Sequence, residues 1–128
     1  MSQHKIKAAA IAVNRVAPRE ALANAALTLQ DLRALRQQLF DKKPDPIRDK
    51  ELFDKWVTVT SNVDFAVTVL ATAINKGISE IHAQTVSELE QKTEKLKNTV
   101  ASLQNTTEIV NTIAKSLDLV TRIITLFA

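Results

Sequence analysis

The stretch SEIHAQTVSELEQKTEKLKNTVASLQNTTEIVNTIAKSLDLVTRIITLF, Ser79 to Phe127, decides what this chain can be. It holds neither Gly nor Pro, and Leu89, Leu96, Leu103, Val110, Leu117 and Ile124 recur at every seventh residue, which in a helix places them on one side. The spacing predicts one long helix over 79–127, or two helices in phase. The stripe is narrow as far as Gln104, where Glu88, Glu90, Lys92, Glu94, Lys95 and Lys97 surround Leu89, Leu96, Val100 and Leu103 as in a coiled coil. From Ile109 onward Val110, Ile113, Ala114, Leu117, Leu119, Val120, Ile123, Ile124, Leu126 and Phe127 cover much more of the circumference, so this part requires neighbours on several sides.

Working back from Ser79, whose hydroxyl is placed to cap that helix, Gly77 supplies a stop for the element before it. Leu52, Trp56, Val59, Val63, Ala66, Val67, Leu70, Ala73 and Ile74 follow helical spacing, and Asp45–Pro46 is a start signal, so a helix is expected over 46–76. Between Val57 and Asn75 its only charge is Asp64. Such a helix belongs in the centre of a bundle; a membrane span is the sharper reading, opposed by Asp64, Asn62, Ser61 and the threonines. The connection through Ile78 is so short that an antiparallel hairpin with the last helix is expected.

Upstream, the segment 41–49 with Pro44 and Pro46 reads as a loop. Leu22, Ala25, Ala26, Leu29, Leu32, Leu39 and Phe40 mark a helix over 19–41, with Arg33 and Arg36 on or beside its stripe, where they could pair with Asp64. Ile6, Ala9, Ala10, Val13 and Val16 mark a first helix over 4–17, after which Pro18 either kinks a continuous helix or sits at the first position of a new one. The basic residues His4, Lys5, Lys7, Arg15 and Arg19 precede any acid, yet the apolar run 8–13 is too short for a signal-peptide core, so an ordinary helix is expected there.

Together these readings predict an all-α fold: one helical domain over 1–128, an elongated antiparallel bundle of three or four long helices. Whether three or four turns on Asn105. A continuous 79–127 helix would be about 73 Å long against about 47 Å for its hairpin partner, leaving about 26 Å of its most apolar part uncovered. A second subunit, a partner or lipid would have to cover it. The competing reading breaks the helix near Asn105, where Asn105 and Glu108 have capping-box spacing, and folds the apolar end back inside one subunit. The unbroken phase and the lack of a turn residue favour continuity.

Composition excludes more than it selects. A single Gly leaves no glycine-rich phosphate loop, and the absence of Cys removes thiolate chemistry. His4 and His82 are the only histidines, and Glu80 and His82 are spaced to face different sides of a helix, so no metal site is expected; Asp41, Asp45, Asp49 and Glu51 alternate with lysines and Arg48. No cofactor and no catalytic residue are assigned, and an enzyme is not expected. A net charge of +3 with one Trp and no Tyr argues against nucleic acid. The compartment stays open, with a soluble cytoplasmic protein as the default.

The expected function is therefore that of a non-catalytic structural or interaction module working by helix–helix association, as a homo-oligomer or with another helical protein. Leu89, Leu96 and Leu103 would set register, and Val110, Ile113, Leu117, Val120, Ile124 and Phe127 would be the hydrophobic knobs. The alternative is a membrane-active helical protein, a toxin or pore-forming subunit, that exposes an apolar helix.

Overall fold

The structure is a computed structural model that describes residues 2–77 and 83–128, with side chains over 19–77 and 84–128. Every regular element among them is a helix: α1 (Ser2–Asp41), α2 (Lys50–Lys76), α3 (Ala83–Ala101), α4 (Thr106–Lys115) and α5 (Leu117–Phe127).

The bounds depart from the sequence reading at four places. Of the two alternatives at Pro18 the continuous helix is the one observed, so 4–17 and 19–41 are one element, in which Pro18 removes a backbone donor while its fixed φ remains helical. The stripe expected over residues 6–16 lies outside the described side chains. Second, α2 begins at Lys50 rather than at 46. Asp45 does cap, accepting from the Ile47 and Arg48 amides at 2.8 and 2.9 Å, but what it caps is an isolated turn ending at Asp49, whose amide reaches the Asp45 carbonyl at 3.0 Å. Those two amides, Arg48 first, hold the Asp45 carboxyl below its ordinary range. At its other end α2 stops at Gly77, whose φ of +92° excludes side chains but whose ψ of 149° is more extended than the expected left-handed turn. The cap expected at Ser79 lies outside the described residues.

The third departure is decisive. The helix over 79–127 is not continuous, and the competing reading at Asn105 is the one observed. Residues 102–105 form a connection in which several of the orphaned backbone groups find partners. The Ser102 hydroxyl donates to Thr99 O at 2.7 Å, Leu103 N–H to Val100 O at 3.0 Å, and the Gln38 amide of α1 to Val100 O at 2.8 Å. On the far side Asn105 Oδ1 accepts the Glu108 amide at 3.1 Å, with the Asn105 backbone extended as an N-cap requires. Fourth, Ser116 (φ −105°, ψ 15°) leaves helical geometry for one residue and divides α4 from α5. Its hydroxyl makes no capping bond.

The helices then assemble as a four-position bundle with α4 and α5 sharing one corner. Helix α2 runs antiparallel to α1, since Trp56 Nε1 donates to Leu39 O at 2.7 Å while Arg36 reaches Asp64. Helix α3 runs parallel to α1, with Lys97 beside Asp31 and Gln38 at Val100. This corrects the expected hairpin: α3 packs chiefly on α1 rather than on α2, whose other neighbours are α4 and α5. One hydrophobic cluster joins Leu32, Leu35 and Leu39 of α1, Val59, Val63 and Leu70 of α2, Leu89 and Val100 of α3, and Ile109, Ile113 and Ile123 of the fourth corner. The apolar run of α2 predicts a central helix, but α2 occupies one corner, against α1 on one side and α4–α5 on the other, with Val57 and Phe65 exposed on its outer side.

Trp56 is in this core, stacked on Phe53 with ring centroids 5.8 Å apart, and its indole N–H satisfies one of the carbonyls at the C-terminal end of α1. Replacing Trp56 by Ala should lower the unfolding free energy by about 3–5 kcal/mol, whereas Phe, which keeps most of the area but not the donor, should cost about 1–2 kcal/mol. Urea denaturation followed by circular dichroism measures both, and a Phe variant as stable as the unsubstituted chain would remove the hydrogen bond from the account.

Candidate interaction surfaces

The residues expected to associate with a partner are placed by the break at 102–105. Leu89, Leu96, Val110, Ile113 and Val120 are buried inside the chain, and Leu103, Leu117, Ile124 and Phe127 are half-buried against the same core. The expected overhang does not exist. With α4 and α5 turned back along α2, the apolar end is covered by its own polypeptide.

What lies open instead is the outer side of α2. Thr58, Ser61, Phe65, Thr68 and Thr72 are all exposed and follow alternating three- and four-residue steps, the seam spacing of helix pairs. Phe65 is 54% exposed. The hydroxyls of Thr58, Thr68 and Thr72 donate to carbonyls four residues back, at 3.3, 3.2 and 2.9 Å, so their donors are satisfied within the helix. Asp64, the lone charge on this run, is held by Arg36 Nη1 at 2.8 Å. Arg33 is exposed and makes no ion pair among the described residues. The Arg36–Asp64 contact is half-open to solvent, so it fixes the register of α1 against α2 more than it stabilises either.

A second charged contact, between α1 and α3, lies outside the sequence expectations. Asp31 is buried, with Lys97 Nζ 3.4 Å from Oδ1 and no hydrogen-bond partner for Oδ2. Burial pushes the Asp31 carboxyl above its ordinary range, Lys97 pulls it down, and Glu94 adds to the rise. Glu90, expected on the solvated flank of the α3 stripe, is also buried; burial raises it, aided by Glu94 and Asp31. The signal for both is in their spacing. Asp31 lies four residues before Leu35 and three after Thr28, and Glu90 four after Val86 and three before Thr93, which are core steps.

Among the described residues no group of three or more His, Asp or Glu side chains is arranged to hold a metal ion. His4 and His82 lie outside the described side chains. The chain matches no protein-family model, no curated protein and no solved structure.

The raised carboxyls make stability depend on pH. The folded state holds protons that the unfolded chain releases, so their contribution is complete below the ordinary carboxylate pKa of about 4 and is lost as pH rises through the raised values. Asp31→Asn and Glu90→Gln should therefore gain stability relative to the unsubstituted chain at pH 7 and show a smaller difference at pH 4.5. Chemical denaturation at the two pH values reads this, and an advantage that grows on acidification would contradict the buried-carboxyl account.

Proposed function

We propose that this chain is a non-catalytic helical interaction module that associates with copies of itself by exchanging the α4–α5 segment. One observation carries the reading. The apolar residues of that segment form core contacts, yet they are delivered by a connection, residues 102–105, that contains no Gly or Pro and preserves the seven-residue phase from Leu96 through Leu103 to Val110. Straightening it would make α3, α4 and α5 nearly one helix with its apolar side still aligned. The α4–α5 segment would then occupy the corresponding corner of a neighbour, and the neighbour's would return the exchange. Each swapped segment would meet the same side chains in its new corner as in its own, so only the caps at Ser102 and Asn105 and the Gln38 bonds distinguish the closed form. A non-catalytic role is supported by the sequence, which offers no nucleophile with a base and no acid–base pair.

Asn105→Ala removes the cap that favours the closed form and should raise the dimer share in sedimentation at matched concentration. Gln104→Pro opposes a straight helix and should lower it. If mass is unchanged across concentration and for both variants, self-association by exchange is lost.

The outer side of α2 favours a second reading, a membrane-active protein. Helix α2 is long and apolar enough to cross a bilayer by length and composition, and its outer hydroxyls are bonded inward. Flotation with zwitterionic and anionic vesicles tests it: binding that Phe65→Asp abolishes would support this reading, and no flotation on either lipid would end it.

A further inference from the structure

The bundle is not closed evenly. Helix α3 rests on α1, and α4–α5 rest on α2, but α3 and the fourth corner meet more sparsely than either meets its main neighbour. They run antiparallel along a seam that contains two clefts. The larger, about 430 Å³, has Lys92 and Lys95 of α3 on one wall and Lys115 and Arg122 on the other, over a floor of Leu96 and Leu119. The second, about 300 Å³, lies further along the seam beside Leu89 and Leu126 and is lined almost wholly by apolar surface. Arg122 borders both.

We propose that this seam binds a single-chain anionic amphiphile, a long-chain carboxylate or its phosphate counterpart, with the head among the four cations and the chain over Leu89 and Leu126. Charge complementarity selects the head. Four positive side chains from two walls converge with Asp118 as the one acid in the lining, and none of the four makes an ion pair among the described residues. Their mutual repulsion is relieved by an anion, and Arg122 can meet a carboxylate or phosphate with two parallel donors. The apolar continuation selects a chain rather than a free inorganic anion. Cleft sizes of this order suit a small molecule rather than a partner helix. The inference is independent of self-association, which concerns the connection at 102–105 and is read by mass rather than by ligand binding.

Calorimetric titration of the full chain with hexadecanoate, kept below the concentration at which it self-assembles, tests the assignment. One hexadecanoate per chain is expected, weakened by added salt, with hexadecanol and acetate each binding at least about tenfold more weakly. Lys115→Gln combined with Arg122→Gln should weaken hexadecanoate by about tenfold or more, and Thr125→Trp, which fills the apolar end, should do so without changing the response to salt. A lysophosphatidate titration separates the two heads: tighter binding than hexadecanoate names phosphate, weaker binding names carboxylate. All three substituted residues are exposed, and circular dichroism establishes that each variant is folded. Acetate binding as tightly as hexadecanoate, indifference to both sets of substitutions, association with anionic vesicles alone, or no binding would each overturn the proposal.

Discussion

The fold depends on one requirement: the backbone at residues 102–105 must leave the helix without stranding its polar groups. Four carbonyls at the end of α3 and four amides at the start of α4 lose their helical partners there, and any that water does not reach costs about 1–3 kcal/mol if left unpaired. Ser102, Gln38 and Asn105 supply partners from three directions. Gln38 comes from α1, so its share of the turn's stabilisation arrives only once α1 and α3 are in register. Local chemistry and tertiary packing thus fix the same bend, and that bend converts an uncovered apolar helix into the fourth corner of a bundle.

The same registration sets the charged contacts. Arg36 and Gln38 leave α1 close together in sequence, one toward Asp64 of α2 and the other toward the end of α3, and Asp31 meets Lys97 less than two turns away. Asp31 and Glu90 are an imperfection in this scheme. Apolar residues of similar volume would serve the core at least as well, because a carboxyl buried beside a lysine at 3.4 Å recovers less than it gives up in hydration.

Helical class, the placement of Trp56 in the core and the stripe of α2 were legible in the sequence because they follow from periodicity and burial, which act locally. Chain continuity was not. The seven-residue repeat from Leu89 to Ile124 states which side of a helix is apolar, and that information survives a bend when both arms face one core. Asn105 and Glu108 carried the correct signal, and the missing Gly and Pro outweighed it because the turn is stabilised by side chains rather than by backbone permissiveness. Asp45 shows the converse, a capping signal correctly read but attached to a turn that ends before α2 begins. The convergence of Lys92 and Lys95 with Lys115 and Arg122 needed coordinates, since only the fold-back brings distant parts of the chain to one seam.

Because α1 and α2 form the spine and each carries one outer layer, the molecule resembles a book bound along that spine with its fore-edge between α3 and α5. The covers are tied together at one end by residues 102–105, so thermal motion can spread them only toward the other end, beside Leu89 and Leu126. Among the described residues, fluctuations should therefore be largest across the fore-edge and should grow with distance from that tie.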